Sequence, residues 1–225
     1  MPSIRLFVED DLSFGSVITM SRAQTHYLVN VMRKRIGDPF LLFNGRDGEW
    51  KTELKQIRRD DCDVKVLDCN RELVNVPDIW LLFAPIKRGR IDFIAAKSTE
   101  LGVRVIQPIF TEYTAVSRVN EGRLRLNVIE AAEQCGALTV PTLRSPVTLS
   151  RLLADWPTER KVILCDETGA SPPICQALEN NSNTQEWAIL IGPEGGFSAA
   201  EFDKMRQCVN FIPVSLGPRI LRSDT

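Results

Sequence analysis

The chain has 225 residues, 28 Lys and Arg against 29 Asp and Glu, and 44% hydrophobic residues. That balance excludes a polycation held to its partner by bulk charge, and it excludes a disordered segment too poor in apolar residues to fold. The start, MPSIRLFVED, lacks the basic region and apolar core of a secretory signal, and no run of about 18 apolar residues occurs, so no membrane partner is expected. Residues 1–72 read as β-rich: IRLFVE, PFLLFNG, EWKTEL and CDVKVLDC are short runs bounded by turn residues. Asn44-Gly45-Arg46-Asp47-Gly48 supplies glycines where a hairpin needs left-handed backbone. One helix interrupts the strands, with Ser21 as its N-cap candidate and Tyr27, Leu28, Val31 and Met32 at helical spacing. Several short strands and one helix predict a small barrel, a scaffold common in RNA binding. His26 and Arg33, beside Lys34 and Arg35, are its candidate RNA contacts. A packed surface histidine is the alternative for His26.

Near Asn75-Val76-Pro77 the pattern changes, and residues 75–225 alternate strand and helix. IWLLFAPI is a continuous apolar run, as in a parallel strand buried on both faces. From Arg90 to Leu101 a helix is predicted with Ile91, Ile94, Ala95 and Ser98 on one face. Gly102 can end it, and VRVIQPIF reads as the next strand. Residues 121–135 read as helix; KVILC, EWAILI and FIPVSL read as further strands. Ser198 and Glu201 form a capping box that opens a helix. This alternation predicts an α/β domain, an open and mostly parallel sheet with helices on both faces.

Charge is uneven within that domain. Positions 87–125 carry eight basic and four acidic residues. Lys87, Arg88, Arg90 and Lys97 are therefore candidates for an anionic partner such as RNA. On charge alone a solvated helix face reads equally well, and Lys97 with Glu100 can form an exposed ion pair. Six cysteines are scattered, none in C-x-x-C, and His26 is the single histidine, so no metal site is expected. Scattered thiols suit a reducing cytoplasm.

Between the last strands lies LIGPEGGF (190–197). It lacks the lysine of a phosphate loop, and Pro193 and Glu194 break the dinucleotide fingerprint. Glu194 sets a negative charge where a phosphate would sit, so a neutral or cationic ligand suits the loop better. SLGPRILR (215–222) repeats the arrangement of Gly-Pro directly after a strand. Ligands of open α/β sheets bind beyond the C-terminal ends of the strands. The two loops, with Cys165-Asp166-Glu167-Thr168-Gly169 as a third, thus predict one pocket. Leu190, Ile191, Leu216, Ile220 and Leu221 would supply its apolar walls, and Gly192, Glu194, Gly195, Gly196, Ser215 and Gly217 its polar backbone and loop geometry.

KSTELGV (97–103), EAAEQCG (130–136), LIGPEGG (190–196) and SLGPRILR (215–222), in this order, resemble the bacterial 16S rRNA uridine-N3 methyltransferase family of the SPOUT superfamily. HYLVNVMR (26–33) extends the likeness to a PUA-like barrel at the N-terminus. The resemblance implies a trefoil-knotted α/β domain, S-adenosyl-L-methionine held by the loops above, and a homodimer. It also implies the product N3-methyluridine near the 3′ end of 16S rRNA on the assembled small ribosomal subunit. Such a transfer requires alignment and loss of the N3 proton. Positive groups near the uracil carbonyls assist that loss, and Arg219 and Arg222 are the candidates; arginines holding the loop are the alternative. Cys135 is expected as a buried small side chain rather than a nucleophile. The family continues past a similar Ser/Thr-acid-Thr with an alanine-rich helix, so either the sequence ending at Ser223-Asp224-Thr225 is the ordered portion of a longer chain, or the knot and dimer contact lack that wall. A SPOUT enzyme acting on a ribose 2′-oxygen and a non-catalytic RNA-binding assembly factor are the competing expectations.

Overall fold

The computed structural model describes residues 4–86, 89–166, 171–219 and 221–225. Lys87, Arg88, Glu167, Thr168, Gly169 and Ile220, named above, lie outside the described residues. The chain divides into two compact units: Met1–Asn75 with Ala132–Val140, and Val76–Ala131 with Pro141–Thr225.

The first unit holds β1 (Arg5–Phe7), β2 (Val17–Met20), β3 (Pro39–Phe43), β4 (Glu49–Ile57) and β5 (Cys62–Arg71), hydrogen-bonded in the order β1-β3-β4-β5-β2. β1 runs parallel to β3 and the other pairs are antiparallel. Val17–Met20 is a strand outside the four apolar runs of the sequence. Alternation along β5 buries Cys62, Val64 and Val66 against Phe40, Leu42 and Leu54. At Gly48 a Cβ would stand 2.3 Å from the carbonyl oxygen of Arg71, so the β4 entry admits glycine alone.

Ser21 caps α1 (Arg22–His26) with a full capping box to Gln24, as its sequence implies. The helix then widens into a π-helical turn, Tyr27–Val31, in which Met32 N–H donates to the carbonyl of Tyr27. That widening breaks the 3.6-residue period. Leu28 alone of the four spaced residues is buried, while Tyr27, Val31 and Met32 are exposed.

Glu49 organises the polar part of this unit. Its buried carboxylate accepts from Arg5, Asn70 and Arg71. Arg5 also donates to the carbonyls of Ala132, Glu133 and Ala137, which fixes the 132–140 segment within this unit. Burial opposes the charge on Glu49, but the hydrogen bonds from Arg71, Arg5 and Asn70 outweigh it and hold its pKa at about 2. Cys135, expected to be buried, is exposed, because it stands one residue before the turn at Gly136.

The second unit is α/β. It contains β6 (Ile79–Phe83), α2 (Arg90–Glu100), β7 (Val105–Phe110), α3 (Glu121–Cys135, its last turn in the first unit), β8 (Thr142–Leu143), β9 (Val147–Thr148) and α4 (Leu149–Ala154). β10 (Lys161–Cys165), α5 (Ile174–Glu179), β11 (Trp187–Ile191), α6 (Ala199–Gln207) and β12 (Phe211–Val214) complete it. The seven-stranded sheet runs β12-β10-β11-β6-β7-β8, with β9 also on β7, and every pair is parallel. β6 is central, which explains why IWLLF is apolar without alternation. α2 buries Ile94, Ala95, Ser98 and Thr99 and ends at Gly102, whose φ is 78°.

The two ends of the sheet differ. At the N-terminal end Arg160, 4% exposed, bonds the carboxylates of Asp78 and Glu186 and lies on the ring of Trp80. This is a closed, structural cluster. At the C-terminal end the chain leaves β10, β11 and β12, three neighbouring strands, in glycine-containing or polar loops.

Candidate functional site at the C-terminal strand ends

The end of β10, at Cys165 and Asp166, and the loops after β11 and β12 line a cavity of about 410 Å³, within the size range of small-molecule sites. Of the residues read from the sequence, Ile191, Gly192, Gly196, Leu216, Gly217, Leu221, Arg219 and Arg222 line it. Leu190 does not; it is fully buried in the sheet core with Leu82 and Leu164. Glu194, Gly195 and Ser215 also lie outside the lining, and each has a structural task. Cys165 and Asp166, from the third loop of the sequence reading, also line the cavity, and Phe197, Phe202 and Thr225 join them without a local sequence signal.

The glycines have separate reasons. A Cβ on Gly192 would meet the Phe197 ring at 2.9 Å, so Gly192 is the space into which that ring packs. A Cβ on Gly195 would meet Cβ of Tyr113 at 3.2 Å, on the side of the loop that faces the β7–α3 segment. Gly196 and Gly217 have φ of 69° and 117°, where L side chains are strained. Ser215 Oγ accepts the Gly217 N–H and shapes the turn from within.

The start of α6 closes the glycine loop. Ser198 and Glu201 form the reciprocal capping box, and Glu201 accepts a further bond from the Glu112 N–H at 2.9 Å. The helix N-terminus is thus already supplied with a carboxylate, which argues against a phosphate there.

Arg90, a candidate RNA contact, opens α2 and reaches the glycine loop. Its guanidinium is 3.6 Å from Glu194 and 3.6 Å from Asp224, and Asp224 in turn lies 3.7 Å from Arg222. Glu194 faces a cation, and the cation is Arg90. Arg219 is exposed and makes no ion pair among the described residues. Lys97 pairs with Glu100 at 2.7 Å, and His26 and Arg33 are exposed on the first unit. Lys87, Arg88 and Ile220 lie outside the described residues.

Two further groups set the chemistry of the cavity. Asp166 is 7% exposed and accepts from Ser171 Oγ at 2.6 Å. Burial pushes the Cys165 thiol up to about 11, so at neutral pH it is an uncharged wall rather than a nucleophile. Apolar walls, exposed glycine backbone and a buried carboxylate suit a ligand that is part aromatic, part polar and positively charged, such as S-adenosylmethionine. Among the described residues no group of three or more His, Cys, Asp and Glu could hold a metal ion, and no helix is long and apolar enough to cross a membrane.

Two family models match the chain: an RNA methyltransferase domain over residues 74–225 and an RNA methyltransferase PUA domain over residues 21–67. The chain is similar to the ribosomal RNA small subunit methyltransferase E of Rickettsia conorii, 28% identical over 98% of this chain and 90% of the relative. It is 30% identical to the protein of the same name from Synechocystis, over 98% of this chain and 73% of that one. Among solved structures, a ribosomal RNA small subunit methyltransferase E from Neisseria gonorrhoeae, bound to S-adenosyl methionine, matches with a TM-score of 0.88 at 26% identity. That match covers 99% of this chain and 92% of the other.

Proposed function

The chain belongs to the RNA methyltransferase domain family, and we propose that it methylates 16S rRNA of the small ribosomal subunit with S-adenosylmethionine bound between the end of β10 and the loops after β11 and β12. The observation that carries this reading is the cavity of about 410 Å³ at the ends of three adjacent parallel strands, lined by backbone of both Gly-Pro loops. When bound, S-adenosylmethionine supplies an electrophilic methyl group on sulfur, and it leaves as a neutral thioether. Leu216 and Leu221 offer apolar walls for its adenine, and Asp166 is the acidic residue among the described residues of the lining. Gly192 and Gly196 bring backbone close without a side chain between.

The atom methylated is uridine N3, near the 3′ end of the rRNA in the assembled subunit. Arg219 and Arg222 at the cavity rim stabilise negative charge on the uracil as its N3 proton leaves. Arg222 is held by Asp224, so Arg219 is the freer of the two to meet the base. His26 and Arg33 on the first unit and Lys97 on α2 contribute RNA contacts. The protein acts in the cytoplasm as a homodimer whose α/β domain carries the knot of its superfamily. Residues 1–72 serve as the RNA-binding domain and 75–225 as the methyltransferase domain.

Isothermal calorimetry of the full chain tests the cofactor site. Binding of S-adenosylmethionine that Gly217→Val abolishes supports the assignment; undetectable binding by the unaltered chain removes it.

A further inference from the structure

A second cavity, of about 910 Å³, shares no lining residue with the first. One wall is the start of α2, at Gly89, Ile91 and Asp92. The other is Ala115–Asn120 and the first turns of α3. Its floor is apolar and firm: Ile86, Val119 and Leu124 are all buried. Its charges do not cancel. Asp92 is engaged by Arg123, at 2.5 Å, and by Asn127, at 2.6 Å. Arg118 is exposed in the lining and makes no ion pair among the described residues. One cation is therefore in surplus beside an apolar floor, with Ser117 and Asn120 as polar neighbours.

The same connecting segment serves both cavities. Glu112 donates its N–H to Glu201, and Tyr113 sits against Gly195, so residues 112 and 113 brace the glycine loop. Two residues further, the segment becomes a wall of the second cavity. On the α2 side, Gly89 lines the second cavity while Arg90 reaches Glu194 and Asp224 beside the first.

We propose that the cavity between the start of α2 and residues 115–124 holds the RNA strand next to the methylated nucleotide, with Arg118 on a phosphate and Ile86, Val119 and Leu124 beneath a base. The inference rests on the methyltransferase reading for its choice of ligand. A surplus cation with flanking hydroxyl and amide groups suits a phosphodiester. The buried centre of a protein–protein contact is instead depleted of charge.

The test compares the unaltered full chain with Arg118→Ala and Arg118→Lys. The readouts are fluorescence anisotropy with a short single-stranded oligouridylate over a salt series, KM for small ribosomal subunits, calorimetry with S-adenosylmethionine, and sedimentation velocity. Arg118→Ala is expected to weaken oligouridylate binding about fivefold or more and to lower the log–log salt slope by about 0.7, the loss of one phosphate contact on a single strand. KM for subunits rises, Arg118→Lys restores most of both, and S-adenosylmethionine affinity and sedimentation stay unchanged. Unchanged RNA affinity and salt slope overturn the proposal. So does a shifted sedimentation coefficient with RNA affinity intact, which would make the cavity a docking site for a second copy. An unaltered chain that transfers no methyl group defeats the methyltransferase reading, while the oligouridylate series still decides the cavity.

Discussion

Arg90 lies 3.6 Å from Glu194 on the glycine loop and 3.6 Å from Asp224 near the last described residue. One side chain at the start of α2 thereby ties together the two loops that border the cofactor cavity. Both pairs are partly exposed, and each contributes no more than about 1 kcal/mol. Arg90→Ala is expected to weaken S-adenosylmethionine binding by about two- to tenfold, with little change in the salt slope of RNA binding. Calorimetry and anisotropy on the same variant measure both. A loss confined to RNA binding would return Arg90 to the RNA surface.

Gly192→Ala probes the other side of the same loop. The added methyl would stand 2.9 Å from the Phe197 ring, which must then turn into the cavity it lines. S-adenosylmethionine affinity is expected to fall more than about tenfold, the cost of a displaced wall, while the thermal unfolding midpoint moves little. Unchanged affinity would show that Phe197 has room to yield.

Much of this arrangement was legible in local sequence. The capping boxes at Ser21 and Ser198, the apolar run of the central strand and the helix stop at Gly102 all depend on a few neighbouring residues. The two Gly-Pro loops also declared a shared sheet edge, because each follows an apolar strand. Other features depend on partners far along the chain. Leu190 reads as a pocket wall by proximity to the loop, yet its strand alternation turns it into the core. Gly195 is set by Tyr113, and Arg90 by Glu194 and Asp224, none of which is near it in sequence. The π-helical turn at Tyr27–Val31 breaks a period that looked regular. The return of residues 132–140 to the first unit rests on Arg5 reaching three carbonyls, for which no local pattern exists.

Glu49 predicts an acid-sensitive first unit. Its folded pKa of about 2 lies below the ordinary 4.5. The stabilisation is therefore complete above about pH 4.5 and is lost as pH falls toward 2. A shift of that size corresponds to at most about 3 kcal/mol. Glu49→Gln should lower the unfolding midpoint at pH 7 and flatten its dependence below pH 4.5. Denaturant titrations at pH 7, 4.5 and 3 measure this; an unchanged acid slope would remove Glu49 as its cause.

Cys165 offers a reporter inside the cavity. Burial raises its pKa to about 11, whereas Cys69, Cys135 and Cys175 are exposed. Alkylation by iodoacetamide at pH 8, read by peptide mass spectrometry, should reach those three before Cys165. S-adenosylmethionine should slow Cys165 further. Equal rates with and without the cofactor would place the ligand away from Cys165.

The most direct test of the account is methyl transfer itself. Small ribosomal subunits lacking the modification are incubated with the full chain and isotopically labelled S-adenosylmethionine, and the rRNA is digested and mapped by mass spectrometry. The account predicts one labelled nucleoside, N3-methyluridine, near the 3′ end of 16S rRNA, and its loss in Gly217→Val. Label on a ribose 2′-oxygen, or no transfer from a chain that binds the cofactor, would contradict it.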